Sequence, residues 1–450
     1  MCNEIMEYLL GKKIAILGFG LEGKSTYHFI RKYSDMHLTI IDKNDVYESN
    51  KDMLADDHNL SYIIGAEYLN MLSGFDLIIK SPGVITKDID TTNIPFTSQL
   101  ELLLMVNHEH VIGITATKGK STTTSLTYEV LRANGIDAKI VGNIGKPIFD
   151  EIENMTKDTY MVVEMSALQL EFVTYSPHIA AILNLYEDHL DHSGTIEHYH
   201  ENKLQIFKHQ TGHDYAIYCS DIEPLNSYIT DIYKGKKYRV QMHTKDIDLH
   251  TTYIYKDKVY LNQKEIFDTN TELHLLGEHN VRNIMVVLTI AEIMELNLKK
   301  TVDAIKNFKP LEHRIELVGT YNGVIYYNDA IATVPNATIS AIKALKNVDT
   351  LIFGGMDRGI DYQPLIDFLE TGIVRNLICM PTTGYKVGSK IKNNNVFKYN
   401  IEKLEEAVLK AKEITAQGKI CLLSPAAASY EYFKNFEEKG KAYKNLVKEV

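Results

Sequence analysis

The chain has 450 residues, 45% of them hydrophobic and 24% charged, and a formal net charge of −11. That composition fits a globular protein of about two to four domains and argues against nucleic acid as the main partner. No apolar run approaches the ~18 residues that span a bilayer. Cys2, Cys219, Cys379 and Cys421 form no C-x-x-C pair or zinc-like spacing, as expected of reduced thiols in a cytoplasmic protein, and the start Met1-Cys-Asn-Glu-Ile lacks the basic and apolar regions of a secretory leader.

The strand Lys13 to Leu17 runs into Gly18-Phe-Gly-Leu-Glu-Gly23, a G-x-G-x-x-G turn that opens a helix. Asp42 ends the next strand, Leu38 to Ile41, about where an acidic residue meets a ribose hydroxyl. On residues alone the turn admits an NAD site, a nucleotide-sugar site or a close-packed strand–helix turn. The block closes with Asp76-Leu-Ile-Ile-Lys-Ser-Pro-Gly83.

A helix over Ser98 to Val106 precedes the buried strand Val111 to Thr115. Helical spacing then runs from Ser121 to Asn134, with Gly135 at the stop position. Between strand and helix lies Lys118-Gly119-Lys120-Ser121. Strand, tight loop and helix make a phosphate cradle: amides and the helix N-terminus face the anion, Lys120 adds charge, and the Ser121 hydroxyl suits Mg2+. The pattern G-x-x-x-x-G-K-[ST] would put glycine at Ile114, and Gly113 stands one residue too early.

Glu164 ends the strand Tyr160 to Val163, and Asn184 follows the strand Ile179 to Leu183. Next comes Glu187-Asp-His-Leu-Asp-His192. Hard oxygen ligands beside a phosphate loop suit Mg2+. Zinc is the alternative raised by His189, His192, His198, His200, His209 and His213, but no H-E-x-x-H motif supports it. Lys203 falls on the helical stretch Ile196 to Phe207, and alternating residues at Thr251 to Phe267 predict a β-rich insertion.

The last block alternates strands (Val324 to Tyr327, Thr350 to Phe353, Asn376 to Cys379, Ile420 to Leu423) with helices (Ala337 to Leu345, Ile401 to Ile414, Glu437 to Val447). Asn328-Asp329, Gly354-Gly-Met-Asp-Arg358 and Ser424-Pro-Ala-Ala-Ala-Ser429 each follow a strand, the placement of a sheet-end binding loop. Strand–helix alternation throughout predicts mostly parallel sheets.

The order of these motifs resembles the Mur ligase family. The resemblance spans the whole chain and includes Thr115 to Thr122, Gly142-Asn-Ile-Gly145, Glu164 to Glu171, Gly277-Glu-His-Asn-Val-Arg-Asn283, His313-Arg314 and Ser424 to Gly440. Within the family the chain is most similar to the members that add D-glutamate. The resemblance implies an α/β fold of three domains: a Rossmann-like UDP-binding domain (1–96), a P-loop-type ATPase domain (97–310) and a Rossmann-like glutamate-binding domain (311–450). It implies an ATP-dependent amide ligase of cytoplasmic peptidoglycan precursor synthesis, joining D-glutamate to UDP-N-acetylmuramoyl-L-alanine through an acyl phosphate and releasing ADP and phosphate. L-Glutamate is the alternative amino acid, and an NAD-dependent oxidoreductase the distant alternative function. Small-molecule substrates, no nucleic acid, no membrane insertion and a monomer are expected.

Carried onto this sequence, the family implies a UDP site at Gly18, Gly20, Leu21, Glu22, Asp42, Lys43, Ser81, Pro82 and Gly83. It implies ATP contacts at Thr117, Lys118, Gly119, Lys120, Ser121, Thr122, Asn280, Asn283, Arg314 and Asp329. Lys120, Asn143, Glu164, His189 and Lys203 would be catalytic, with Mg2+ held by Ser121, Glu164, His189 and a carbamylated Lys203. Glutamate would meet Thr333, Arg358, Ser429, Tyr430 and Phe436. This chain departs from the family at Ala116, where glycine is usual, and at Lys118, where asparagine is common. Ile331 and Arg358 stand where substrate lysines are familiar.

Overall fold

The computed structural model describes residues 1–186, 195–230, 232–242, 249–430 and 432–449. His189, with Glu187, Asp188, Asp191 and His192, lies outside the described residues. The chain divides into two compact units, Met1–Glu272 with Arg282–Lys306, and Leu273–Val281 with Asn307–Val450.

The first unit holds two sheets. One contains β1 (Ile14–Leu17), β2 (Leu38–Asp42), β3 (Leu60–Ile64), β4 (Leu77–Lys80) and β5 (Phe96–Thr97). Its order is β3-β2-β1-β4-β5, and every pairing is parallel. β1 and β4 are buried along their length, so they read as unbroken apolar runs. The chain leaves β1 toward β2 on one side and returns at β4 on the other. That switch opens a crevice beyond the carboxyl end of β1, where the glycine turn sits.

The second sheet contains β6 (Val111–Thr115), β7 (Ala138–Gly142), β8 (Tyr160–Glu164), β9 (Ile179–Ile182), β10 (Tyr215–Cys219), β11 (Lys236–Gln241), β12 (Thr251–Tyr255), β13 (Lys258–Leu261) and β14 (Lys264–Asp268). Its order is β14-β13-β12-β11-β10-β9-β6-β8-β7. β6 lies between β8 and β9, so the ends of these three strands border a second crevice. The predicted insertion is the antiparallel ribbon β12–β14. Its hairpin residues Lys256, Asp257, Asn262 and Gln263 all take positive φ, the conformation two-residue hairpin turns need. The phosphate-loop helix spans Lys120–Ala133. Gly135, at φ 85°, closes it as the sequence indicates.

The second unit carries β15 (Glu316–Tyr321), β16 (Val324–Asn328), β17 (Val348–Phe353), β18 (Asn376–Cys379), β19 (Phe397–Asn400) and β20 (Ile420–Leu423), in the order β15-β16-β20-β17-β18-β19. Only β15 is antiparallel to its neighbour. Leu351, Phe353, Leu377 and Leu422 pack on one face, and Ile352, Ile378, Cys421 and Leu423 on the other, the two-residue period of a sheet covered on both sides.

Candidate active site

The glycine turn borders a cleft of about 570 Å³. Gly18, Gly20, Leu21, Glu22, Asp42, Lys43, Ser81, Pro82 and Gly83 all line it, together with Gly142, Asn143, Gly145 and Pro147. The glycines are sterically required. Gly18 has φ 85°, and a Cβ there would lie 2.6 Å from Val84 Cγ2; a Cβ on Gly23 would lie 2.1 Å from the Gly18 carbonyl oxygen. Ser81 Oγ donates to that same carbonyl at 2.8 Å. Asp42 braces the turn, because its two oxygens accept from the Phe19 and Asn44 amides at 2.8 and 2.9 Å.

At the second crevice, Gly119 takes φ 93° as the helix N-cap. A Cβ there would lie 2.8 Å from Asn283 Oδ1, which seats Asn283 against the loop. Asn184 fixes the loop from the far side: its Oδ1 accepts from the Thr117 and Lys118 amides at 3.1 and 2.9 Å, and its Nδ2 donates to the Lys118 carbonyl at 2.8 Å. Those two amides are committed to Asn184, so anion-facing donors come from the first helical turn, Lys120 to Thr122. Lys120 Nζ donates to the Ala116 and Thr117 carbonyls at 2.9 and 3.1 Å. Lys203, 1% exposed, reaches the same Ala116 carbonyl at 2.9 Å. Ala116 takes no positive φ, so the glycine usual there is not needed.

Glu164, also 1% exposed, accepts through Oε1 from Asn143 Nδ2 at 2.7 Å. Among the described residues its buried Oε2 has no hydrogen-bond donor. A buried carboxylate oxygen with spare acceptor capacity fits a hard divalent cation. Among the described residues no group of three or more His, Cys, Asp or Glu gathers as a metal site. His200 is a core residue packed edge-on against Tyr228, and His209 and His213 are exposed, so these three offer no support for zinc.

In the second unit, Asp329 is 5% exposed. It accepts from Ser424 Oγ at 2.8 Å and from the Ile315 amide at 3.2 Å. Burial pushes its carboxyl up to about 7, against the Ser424 and Ile315 hydrogen bonds and the Arg314 charge. Gly354 and Gly355 pin the loops after β17, β18 and β20 together: Cβ atoms there would lie 2.2 Å from the Met380 carbonyl oxygen and 2.3 Å from that of Ala428. This gathers the loop bearing Arg358 beside Ser429, whose buried Oγ has no hydrogen-bond partner among the described residues. Phe436 packs edge-on to His313 at 6.1 Å, and Tyr430 is exposed. Asn280 donates to the Leu276 carbonyl at 2.8 Å within this unit.

Residues 114–291 match the Mur ligase middle domain. The chain is 32% identical over 452 residues to the UDP-N-acetylmuramoylalanine–D-glutamate ligase of Koribacter versatilis, covering 98% of each chain. It is 33% identical over 461 residues to the enzyme of that name in Clostridioides difficile, covering 98% of this chain and 99% of that one. The chain belongs to the Mur ligase family, among its UDP-N-acetylmuramoylalanine–D-glutamate ligases. The MurF ligase of Thermotoga maritima in complex with ADP shares the fold, with a TM-score of 0.59 at 15% identity over 93% of this chain and 96% of that one.

Membership of the Mur ligases sets aside the oxidoreductase reading of Gly18 to Gly23. It also explains the misfit at Gly113. That glycine is a packing residue inside β6, where a Cβ would lie 2.5 Å from Pro177 Cγ and 2.9 Å from Met165 Cε. No helix among the described residues is long and apolar enough to cross a membrane.

Three residues of consequence had no role in the motif reading. Asn184 stands out in the sequence as a strand end, with no role attached to it. Lys80, 4% exposed, pairs with Glu171 at 3.4 Å. Lys439, 3% exposed, donates to the Gly354 carbonyl at 2.9 Å, and burial lowers it to about 8. Its signal was the spacing Lys439, Tyr443, Val447, the buried stripe of the helix Phe436–Glu449.

Proposed function

We propose that the chain is an ATP-dependent amide ligase that joins the amine of D-glutamate to the alanine carboxylate of UDP-N-acetylmuramoyl-L-alanine, with ADP and phosphate as products, in peptidoglycan precursor synthesis. The observation that carries this reading is Asn143: it lines the nucleotide cleft and also holds Glu164 at the end of the phosphate-loop sheet. One residue thus links the cleft proposed for a nucleotide sugar to the carboxylate proposed to serve the ATP phosphates.

In the proposed reaction the alanine carboxylate attacks the γ-phosphorus of ATP and ADP leaves. The glutamate amine then attacks the acyl carbon, phosphate leaves, and the amine proton passes to solvent. Phosphoryl transfer of this kind needs positioning and charge neutralisation more than a protein nucleophile. Lys120 and the amides of the helix Lys120–Ala133 are the candidates for the ATP phosphates, and Asn283 for positioning the nucleotide. Ser121, Glu164 and, as a carbamate, Lys203 are the candidates for holding Mg2+, which would neutralise phosphate charge; the spare Glu164 oxygen supports this. For Arg314 and Asp329 the proposed role in binding ATP rests on the family resemblance alone. Arg358, with Thr333 and Ser429, is the candidate clamp for a glutamate carboxylate, a geometry guanidinium suits better than ammonium.

Phosphate release in the presence of UDP-N-acetylmuramoyl-L-alanine, ATP and either glutamate enantiomer tests the reading. D-Glutamate is expected to support release and L-glutamate is not. Retention of activity in Lys203→Ala to within a few-fold of the parent would remove Lys203 from the site.

A further inference from the structure

Glu22 lies in the first turn of the helix Leu21–Tyr33 and lines the nucleotide cleft. Its Oε1 accepts from Gln169 Nε2 at 3.2 Å. Its backbone carbonyl accepts from Gln99 Nε2 and Thr26 Oγ1 at 3.0 and 2.9 Å, so the residue is held in place. Behind it Lys80 is buried and paired with Glu171 at 3.4 Å. Glu171 also accepts from Thr86 Oγ1 at 3.4 Å and lies 3.9 Å from His198 Nε2. One buried ammonium therefore serves two carboxylates. The other charged groups lining the cleft are Asp42, committed to the turn amides, and Lys43.

A nucleotide-sugar diphosphate would bring two further negative charges to this turn. Carboxylate and diphosphate cannot both stay ionised at close range in a partly desolvated cleft without a large cost. A protonated carboxyl removes the repulsion and becomes a donor. We propose that Glu22 binds the substrate diphosphate as a neutral carboxylic acid, its O–H donating to a phosphate oxygen, so that binding takes up one proton from solvent. This rests on the cleft being the UDP site proposed above. Burial already pushes Glu22 up to about 7, opposed by the Gln169 hydrogen bond and the Lys80 charge. The free protein therefore carries the proton only in part at neutral pH, and the charge of the ligand completes the uptake.

The test is calorimetric titration of the full chain with UDP-N-acetylmuramoyl-L-alanine at pH 8, in two buffers of different ionisation enthalpy. The diphosphate of this ligand is a diester with no ionisation near neutrality, so an exchanged proton belongs to the protein. The expected result is uptake of about 0.9 proton per site, and an affinity that falls about tenfold per pH unit above pH 8. In Glu22→Gln, whose amide is a permanent neutral donor, the heat becomes independent of buffer and the affinity independent of pH. Buffer-independent heat in the parent protein, or unchanged uptake in Glu22→Gln, overturns the inference. Should the variant not fold, a parent Kd that is flat from pH 6.5 to 9 overturns it equally. Binding without uptake defeats only the protonation of Glu22, whereas no binding defeats the cleft assignment as well.

Discussion

The Asn143 amide donates to Glu164 Oε1 at 2.7 Å, joining the loop after β7 to the end of β8. Gly142 makes the approach possible, because a Cβ at that position would lie 2.5 Å from the Glu164 carbonyl oxygen. The bond orients a carboxylate whose other oxygen has no donor among the described residues. Asn143→Ala is therefore expected to lower kcat about 10- to 100-fold while the circular dichroism spectrum and melting temperature stay near those of the parent. Phosphate-release kinetics with full activity in Asn143→Ala would show that Glu164 needs no such support.

Two glycines near the phosphate loop are expected to fail differently. Gly113→Ala forces a methyl against Pro177 and Met165 inside β6, an overpacking cost of about 1–3 kcal/mol. Gly119→Ala places alanine at positive φ against Asn283, costing about 1–2 kcal/mol and displacing Asn283 from the loop. The first variant is expected to lose stability to urea with little change in the KM for ATP. The second is expected to raise that KM several-fold. Identical profiles for the two would contradict the division.

Much of this arrangement was legible in the sequence because its chemistry sits in short segments after predicted strands. Gly18 to Gly23, Lys120, Glu164 and Asp329 are all found at carboxyl ends of strands, where period and turn residues place them. The edge strands β15 and β19 were missed, since both are largely solvent-facing and carry no apolar run. Partnerships across the chain were also missed. Lys439 and Gly354, like Asn184 and Thr117, meet through packing between distant segments, and no local pattern encodes who meets whom. Gly113, one residue too early for the phosphate-loop pattern, has a packing task instead, and only its neighbours Pro177 and Met165 show it.

Asp329 gives stability a pH dependence. Its folded value of about 7 lies above the ~3.9 of an unfolded aspartate, so the folded state binds the proton more tightly. Its contribution therefore falls as pH rises from about 4 to about 7. In Asp329→Asn that loss is absent. Urea midpoints at pH 5 and pH 8 are expected to drop more steeply in the parent than in the variant. Parallel pH profiles would place the proton elsewhere.

Lys439 holds the loop that carries Arg358. Lys439→Met keeps the packing but leaves the Gly354 carbonyl without its donor, at a cost of about 1 kcal/mol. The KM for glutamate is expected to rise about fivefold, with the KM for ATP changed less than twofold. Equal rises for both substrates would indicate a general loosening of the unit instead.

The cleft proposed for the nucleotide sugar and the phosphate loop are proposed to serve one ligation. The most direct test is inorganic phosphate release by the purified chain with ATP, UDP-N-acetylmuramoyl-L-alanine and glutamate, omitting each in turn. The predicted result is release only when all three are present, with D-glutamate as the amino acid and one phosphate formed per dipeptide product. Release that ignores the nucleotide sugar, or that requires L-glutamate, would contradict it.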